Sequence, residues 1–232
     1  MTDEPADILV VSPHPDDAEF GVSGSVARWV QEGKSVVYTV VTNGDKGTSD
    51  ITMDLAKLAQ IREEEQLAAA RLLGVREVVF LRHPDQSLEE TPEFRRDIVR
   101  VIRRFRPHTV ISADPYRRYI WHRDHRITGR TVLDAVFPYA RDYFAYPELI
   151  AEGLMPHKVR EVLLWASEDP NYWMDVTATY ETKLAALACH KSQIGEEIAP
   201  QMRDWLMERA RTMAQGQDFE LAEAFHQEII WR

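Results

Sequence analysis

The first half of the chain alternates between short apolar runs and longer stretches with helical periodicity. The apolar runs have the length and β-branched content of strands buried on both faces of a sheet, and they lie at residues 8–11, 35–41, 78–81 and 108–112. The helical stretches lie between them, at residues 18–31, 54–73 and 94–105. Strands that alternate with helices predict an α/β fold, with a Rossmann-like, mostly parallel sheet covered by helices on both faces.

The pattern loosens after the fourth predicted strand. An aromatic, proline-bearing stretch over residues 114–156 is predicted to be a loop insert. Regular structure returns with a strand at 161–167 and helices at 178–191 and 199–214. The sequence has no internal repeat, low-complexity segment or Gly/Ser-rich linker, so residues 1–232 are predicted to form a single domain.

The composition is that of a globular protein, with 232 residues of which 44% are hydrophobic and 28% charged. Acidic residues outnumber basic ones by 38 to 28, giving a net charge of −10, which argues against nucleic acids and anionic membranes as partners because phosphate recognition needs a basic patch. The single cysteine, Cys189, cannot form an internal disulfide. No apolar run approaches the ~20 residues of a membrane helix and the acidic N-terminus is unlike a signal peptide, so we expect a cytoplasmic location.

Two predicted loops at the carboxyl edge of the sheet, where ligands of open α/β folds bind, carry potential metal ligands. The sequence PHPDDAEFG follows the first strand and holds His14 and Asp17 three residues apart, and WHRDHR follows the fourth strand and holds His122 and His125 at the same spacing. This spacing brings two side chains to one face of a helical turn. The alternative for the first loop is that Asp16 and Asp17 cap a helix and stabilise its first turn.

The two loops together resemble the LmbE/PIG-L-like family of zinc-dependent N-deacetylases. Supporting similarity extends over most of the chain, in TNGDKG (42–47), REEEQLAAARLLG (62–74), PDQSL (84–88) and HKSQ (190–193). By WHRDHR and the aromatic insert, the chain looks closest to the diacetylchitobiose deacetylase-like branch. Arg123 departs from the pattern, since many members have proline there, but it lies between the key histidines and we expect little effect on metal binding.

The resemblance implies a set of roles for the residues of the two loops. His14, Asp17 and His125 would bind one Zn²⁺ per chain and leave a fourth position open, as catalytic zinc sites do. Asp16 would be the general base, and a divalent cation would relieve the repulsion between it and Asp17. His122 would stabilise the tetrahedral oxyanion, with protonation of the leaving amine as a second role, and we expect a charged imidazolium for both.

Asp124 lies between the two histidines of the second loop. It would orient one of the histidines of the site, as carboxylates near metal sites do. A helix N-cap is the alternative role for this residue.

The predicted helix 54–73 has a charged interruption on its apolar face, at Arg62 and Glu65. A charge on such a face must be paired or face a cavity. Pairing of Arg62 with Glu65 or with a strand is one reading, whereas the resemblance implies that Arg62 reaches the substrate and that Asp85 accepts hydrogen bonds from sugar hydroxyls.

Three aromatic residues, Tyr116, Tyr119 and Trp121, lead directly into His122. Aromatic rings beside a polar centre suit the flat apolar face of a sugar, and we expect Tyr119 and Trp121 to contact the substrate. Packing in the core is the alternative, and we expect it to account for at least one of the three.

The activity implied is hydrolysis of the N-acetyl group of an N-acetylglucosamine-containing sugar, a chitobiose-type or another GlcNAc conjugate. Within the fold, an amidase of a GlcNAc-thiol conjugate and deacetylases of GlcNAc-malate or GlcNAc-inositol are alternatives. A metal-binding protein without turnover is a further alternative, although it would need neither Asp16 nor His122. A two-metal phosphohydrolase would require more carboxylates in the loops than Asp85 and Asp114 provide.

The tail sequence AEAFHQEIIW carries Phe225, Ile229, Ile230 and Trp231, which are too apolar to lie in solvent, and it also carries His226. We expect these apolar residues to pack on the chain's own core. The alternative is that they pack on a neighbouring subunit, with His226 near that subunit's site. The resemblance implies a homo-oligomer, a trimer or a hexamer.

Overall fold

The structure, a computed structural model, describes residues 4–119 and 121–230. A seven-stranded sheet with the order β3-β2-β1-β4-β5-β7-β6 lies at its centre. The strands are β1 Ile8–Ser12, β2 Val36–Thr42, β3 Glu77–His83, β4 Thr109–Ala113, β5 Glu161–Trp165, β6 Tyr172–Asp175 and β7 Ala222–Ile229. The first five strands pair in parallel and β7 runs antiparallel between β5 and β6. The predicted Rossmann-like fold class is confirmed.

Helices cover both faces of the sheet, because each apolar strand buries side chains on both sides. They are α1 Asp17–Gly21, α2 Ser23–Gln31, α3 Leu55–Leu73, α4 Pro92–Phe105, α5 Arg123–Asp134, α6 Pro147–Ala151, α7 Tyr180–Leu187, α8 Lys191–Ile194 and α9 Pro200–Met213. The predicted bounds of α3 are correct to one residue. Asp54 caps its N-terminus by accepting from the backbone of Ala56 and Lys57, and Gly74 ends it at φ 76°.

The prediction of one helix over residues 18–31 is wrong. Val22, at φ −145°, separates α1 from α2. The break coincides with a close approach to the sheet, since a Cβ on Gly21 would lie 2.7 Å from Cδ1 of Trp165 at the end of β5. A local sequence pattern does not reveal such a contact between segments more than 140 residues apart.

The stretch 114–156 contains more regular structure than the loop insert that was predicted. It includes α5, a short π-helical segment at Ala135–Tyr139 and α6. Arg103 of α4 is fully buried beneath this stretch, and its guanidinium donates hydrogen bonds to backbone carbonyls of the stretch, those of Tyr139, Ala140, Asp142, Ala145 and Tyr146. The side chain of Arg103 thus provides hydrogen-bond donors for these carbonyl groups, in place of the backbone N–H groups of a helix or sheet.

The tail forms the unpredicted inner strand β7 and packs within the chain's own sheet. Phe225 is fully buried, whereas Ile229 is 38% exposed, and Trp231 lies outside the described residues. Glu223 of β7 accepts hydrogen bonds from the backbone N–H groups of Gly24 and Ser25 in the first turn of α2 and pairs with Lys183 at 2.6 Å. The tail therefore satisfies helix N–H groups that would otherwise have no partner.

After β1 the chain adds β2 and β3 on one side of this strand, and it then returns to add β4 on the other side. The order of the strands therefore reverses between β1 and β4. The loops that follow these two strands diverge and leave a crevice at their carboxyl ends. His14 and His125 are carried by these two connections. Within the described ranges, the helices lack the combined length and apolar character that crossing a bilayer would require.

The helix that carries His125 lies directly against β4 at Gly129. A Cβ at this position would overlap the carbonyl oxygen of Ala113 and lie 2.9 Å from Cδ of Pro115. We predict that Gly129→Ala lowers the melting temperature, because an overpacked contact with rigid backbone costs about 1–3 kcal/mol and outweighs the gain of about 0.5–1 kcal/mol in helix propensity.

Each kcal/mol should lower the melting temperature by about 2–4 °C in a chain of this length, which circular dichroism measures. Arg130→Ala, at the adjacent exposed position, is the control and should change stability by less than about 1 kcal/mol. An unchanged or raised melting temperature in Gly129→Ala would contradict the close packing of α5.

Candidate active site

His14 is surrounded by three carboxylates from three different loops. Its Nδ1 lies 2.8 Å from Oδ2 of Asp17, and its Nε2 lies 3.1 Å from Oδ1 of Asp85 and 3.2 Å from Oδ2 of Asp124. Burial acts to lower the pKa of His14, but the carboxylates outweigh this effect and hold the pKa well above its ordinary value. The loops after β1, β3 and β4 therefore meet at this imidazole, as the strand order requires.

Asp17 joins the two predicted histidine ligands. The same oxygen that contacts His14 lies 3.0 Å from Nε2 of His125. Burial acts to raise the pKa of Asp17, but His125 and His14 hold it well below its ordinary range. The ring centroids of His14 and His122 are 4.7 Å apart, and His125 lies 5.2 Å from His14 and 5.4 Å from His122.

This donor set suits a divalent metal ion. Nitrogen atoms of His14, His122 and His125 lie within 4.8 Å of one another, and the shared oxygen of Asp17 is 2.8 and 3.0 Å from nitrogens of two of them. Donors placed tetrahedrally at about 2.0–2.1 Å from zinc are about 3.3 Å apart, so small movements would bring these atoms onto one ion. His14, His122, Asp85 and Asp124 form a second, overlapping group of donors.

The charge of the site also favours a cation. Asp16, Asp85 and Asp124 are buried and the side chain of Asp17 is only 15% exposed, while Arg62 is the guanidinium that lies among them. Carboxylates held out of water need compensating positive charge. A divalent ion or protonated histidines would provide it.

Asp16 has a backbone conformation that few residues other than glycine adopt, with φ 95°. Its carboxylate lies 3.0 Å from Nη2 of Arg62, and its backbone N–H donates to Oε1 of Gln66 at 3.1 Å. It stands at the N-cap position of α1, but its side chain makes no capping hydrogen bond, so the capping explanation for Asp16 is wrong. Such strained conformations cost about 1–3 kcal/mol and cluster at functional sites.

The pKa of Asp16 is raised to about 7. Burial is the largest cause, followed by the negative charge of Asp17, while Arg62, His190 and His14 act in the opposite direction. A carboxyl group with this pKa is suited to take up and release a proton near neutral pH.

Behind Asp16 lies a buried polar chain that the sequence analysis did not identify. Nε2 of Gln66 donates to Glu19 at 3.0 Å, and the other oxygen of Glu19 lies 3.0 Å from Nε2 of His190. Gln66, Glu19 and His190 are fully buried. Gln66 follows Arg62 by one helical turn and lies on the same face of α3. This second polar residue on an otherwise apolar face was the feature of the sequence that could have predicted the chain. His190 lies in HKSQ, for which no role was assigned.

Arg62 does not pair with Glu65, so that alternative is wrong. Glu65 accepts hydrogen bonds from the backbone and hydroxyl of Ser192. Arg62 is 4% exposed and donates to the carbonyl oxygens of Pro15 and Gly44 as well as to Asp16. It therefore supports the loop that carries Asp16.

The glycines of TNGDKG make room for this guanidinium. A Cβ on Gly44, which has φ 61°, would lie 2.6 Å from Nη1 of Arg62, and a Cβ on Gly47 would overlap the same atom. The motif thus has a steric explanation in the position of Arg62.

Asp124 is not the N-cap of α5, which corrects that alternative. His122 occupies the cap position, and its Nδ1 accepts from the backbone N–H of Asp124 at 3.1 Å. The fully buried carboxylate of Asp124 contacts His14 and accepts from the backbone N–H of Gln86 at 2.7 Å. Asp85 lies beside it, and although burial acts to raise the pKa of Asp85, the contact with His14 outweighs it and the pKa is lowered to about 2.

His122 is the most exposed of the three clustered histidines. Loss of solvent and the charges of His14 and His125 lower its pKa, with Asp124 and Asp85 acting in the opposite direction. Because its Nδ1 accepts a hydrogen bond, the proton of the neutral ring lies on Nε2. The neutral ring thus offers an N–H donor on Nε2, and the charged imidazolium expected from the sequence stays a prediction.

The aromatic residues before His122 have different environments. Trp121 is half-buried and packs edge-on against His125 with ring centroids 4.6 Å apart. Tyr119 is 94% exposed and Tyr116 is 71% exposed, so neither is part of the core. The structure therefore brings Trp121 to the site and leaves Tyr119 at the surface.

His226 lies on β7, outside the group of clustered histidines. Its Nδ1 lies 2.7 Å from the carbonyl oxygen of Asp169 and its Nε2 lies 3.2 Å from Glu228. A role for His226 in the site of a neighbouring subunit stays a prediction.

Comparisons with known proteins show similarity over most of the chain. Residues 9–136 match the profile of the PIG-L family, described as GlcNAc-PI de-N-acetylase. The chain is 37% identical over 191 residues to diacetylchitobiose deacetylase of Thermococcus kodakarensis, covering 82% of this chain and 71% of that protein. It is 27% identical over 234 residues to 1D-myo-inositol 2-acetamido-2-deoxy-alpha-D-glucopyranoside deacetylase of Mycobacterium sp. strain JLS, covering 83% and 75%.

A solved structure is similar over nearly the whole chain. It is that of N,N'-diacetylchitobiose deacetylase from Pyrococcus horikoshii in complex with its inhibitor MPG, with a TM-score of 0.91 and 29% sequence identity. The similarity covers 98% of this chain and 84% of that one. The two chains thus share their fold over nearly the whole length of this one.

We predict that the purified protein binds about one Zn²⁺ per chain and that His14→Ala or His125→Ala abolishes this binding, because each removes one of three ligands. Elemental analysis after dialysis measures the metal content. Asp16→Asn should keep the metal, since its carboxylate is engaged by Arg62, and His226→Ala is the control histidine. Full metal content in His14→Ala would show that the ligand set is wrong.

We predict that Gln66→Leu lowers the free energy of unfolding by about 1–3 kcal/mol, because it leaves the buried N–H of Asp16 and an oxygen of Glu19 without their partner. Gln60→Leu is the matched control, since Gln60 lies on the same helix and its side chain donates to the exposed Glu64, and its effect should stay within about 0.5 kcal/mol. Urea unfolding measures both. Equal effects of the two substitutions would show that Gln66 does not stabilise the conformation of Asp16.

Proposed function

This chain belongs to the PIG-L family of GlcNAc-PI de-N-acetylases, and from that premise we propose that it is a hydrolase that removes the acetyl group from an N-acetylglucosamine conjugate. The observation that carries the proposal is the meeting of Asp16, Asp17 and three histidines at the carboxyl ends of β1 and β4. The reaction consumes one water and yields acetate and the free amine of the sugar.

The metal would be held by His14, Asp17 and His125, with Zn²⁺ as the proposed ion. When bound, zinc polarises the acetyl carbonyl and lowers the pKa of a bound water toward 7. The contact of Asp17 with both histidines supports this assignment. Asp124 and Asp85 would fix the ring of His14 through its other nitrogen.

Asp16 is the proposed general base. It takes the proton of the attacking water as the water oxygen bonds to the acetyl carbon, and it returns that proton to the nitrogen as the C–N bond breaks. Its raised pKa matches this task, and Arg62 and Gln66 fix the direction of its carboxylate. In this proposal the main role of Arg62 is to position Asp16, and a contact between Arg62 and the sugar is not required.

His122 is the proposed partner of the acetyl oxygen as negative charge develops on it. The neutral ring offers its Nε2–H for this purpose, because Nδ1 is occupied by the backbone N–H of Asp124. Its greater exposure relative to His14 and His125 places it on the solvent side, from which a substrate enters.

The substrate is proposed to be a small amino sugar, with Trp121, Asp85 and Tyr119 as its contacts. Trp121 is supported by its position against His125. The relatives named above are described as deacetylases, which favours neither a thiol-conjugate amidase nor a non-catalytic metal-binding protein. A cytoplasmic location and a trimeric or hexameric assembly remain part of the proposal, and light scattering measures the latter.

The proposal predicts release of acetate from at least one of GlcNAc, diacetylchitobiose and GlcNAc-malate. Asp16→Asn should reduce the rate about 10²–10⁴-fold, the usual effect of losing a general base, while it retains the metal. Acetate is measured with a coupled enzymatic assay. Asp218→Asn, an exposed carboxylate, serves as the control.

Activity of Asp16→Asn within a few-fold of the unsubstituted protein would remove Asp16 from the mechanism. Absence of acetate release from all three sugars by the zinc-loaded protein would overturn the proposed function.

A further inference from the structure

A cavity of ≈ 240 Å³ lies beside the candidate active site, on the other side of α1. The end of α1, the segment after β5, β7 and helices α7 and α9 form its walls. Its lining includes none of the carboxylates or histidines that meet at His14. It is smaller than the ~300–1,000 Å³ of sites for drug-sized molecules, so it suits a small ligand.

Two arginines in the lining, Arg117 and Arg209, lack a carboxylate partner. Within residues 4–119 and 121–230, neither guanidinium forms an ion pair. Burial lowers the pKa of Arg209, the positive charge of Arg117 lowers it further, and the negative charge of Glu223 acts in the opposite direction. Both guanidinium groups line the same cavity.

The other charges of the lining are already compensated. Lys183 and Glu223 pair at 2.6 Å, and Glu223 also accepts from the first turn of α2. Glu168 lies 3.5 Å from Nε of Arg118. The cavity thus holds about two uncompensated positive charges in a chain whose net charge is −10.

The rest of the wall is largely apolar. Phe20, Val176, Leu206 and Met213 contribute aliphatic and aromatic surface. Guanidinium groups bind carboxylates and phosphates through paired hydrogen bonds. An apolar wall beside two such groups matches a ligand with an anionic end and a short apolar body.

Trp121 separates this cavity from the candidate active site. The guanidinium of Arg117 lies 4.5 Å from the centre of the Trp121 ring, and the centre of the same ring lies 4.6 Å from that of His125. Phe20 and Gly21 belong to the helix that begins at Asp17. A ligand held by Arg117 therefore lies one side chain away from the proposed metal ligands.

We propose that this cavity is a second binding site, for a small organic anion that carries a carboxylate or a phosphate on a short apolar body. The anion has two sources: the aglycone of the sugar substrate, which rests on the proposed function, or a separate small molecule. Arg209 and Arg117 bind the anionic end in either case.

Calorimetric titration of the full chain with hexanoate, succinate and inorganic phosphate tests the site, with acetamide as the neutral probe. We expect saturable binding of at least one anion, no binding of acetamide, and at least tenfold weaker binding in Arg209→Gln and in Arg117→Gln. Arg203→Gln, on the same helix as Arg209 but paired with Glu181, is the matched control and should bind as the unsubstituted protein does.

Arg209→Lys keeps the charge and should retain most of the binding, and thermal melting checks that each variant is folded. If Arg209→Gln does not fold, the exposed Arg117 carries the test. Absence of saturable binding, or equal affinity in Arg117→Gln and the unsubstituted protein, would overturn the proposal. The titration measures binding without turnover. Absence of binding would therefore not contradict the proposed deacetylation, and absence of deacetylation would not invalidate the titration.

Deacetylation kinetics then distinguish the two sources. If the aglycone occupies the cavity, Arg209→Gln raises the KM of a GlcNAc glycoside with a dicarboxylate aglycone about tenfold without changing the KM of diacetylchitobiose, and the free anion competes with the charged glycoside. If the ligand is a separate molecule, both KM values stay unchanged while the titration still reports binding. Either result supports the site, and the difference between them assigns its ligand to one of the two sources.

Discussion

The burial of several carboxylates at one end of the sheet is the constraint on which this structure depends. Asp16, Asp17, Asp85 and Asp124 come from three loops, and each would prefer water to a site of low dielectric constant. They remain there because His14 lies among three of them and Arg62 holds the fourth. The order of the parallel strands brings these loops together, and the charge balance then fixes their conformations.

This balance also explains why residues remote from the crevice are buried and polar. Gln66, Glu19 and His190 extend the network from the backbone of Asp16 into the space between helices. A buried polar network in which some groups lack hydrogen-bond partners makes a protein less stable than an apolar core would. Arg62 therefore holds the carboxylate of Asp16, and Gln66 holds its backbone N–H, so that the strained conformation is fixed at both groups.

Local patterns in the sequence predicted the parallel strands, the long helix α3 and the histidine and aspartate side chains that converge, because periodicity and spacing determine these features within a few residues. They did not predict the break at Val22, the bonds of Arg103 or the place of Gln66, each of which depends on residues far away in sequence. The strand β7 was missed for a related reason. Its residues pair antiparallel with β5 and β6, whereas the alternating strands and helices of the first half indicate only parallel neighbours.

The position of β7 has a consequence for the order in which the protein is completed during synthesis. Glu223 binds the first turn of α2, which follows the loop of Asp16 and Asp17 almost directly, so one of the first helices made is capped by one of the last strands. A ribosome adds about 5–20 residues per second, and the ~200 residues between the two therefore take on the order of ten seconds or more to appear. During that interval the nascent chain has the loop of Asp16 and Asp17 but not the strand that caps the helix after it, and contacts of such high sequence separation form late in folding.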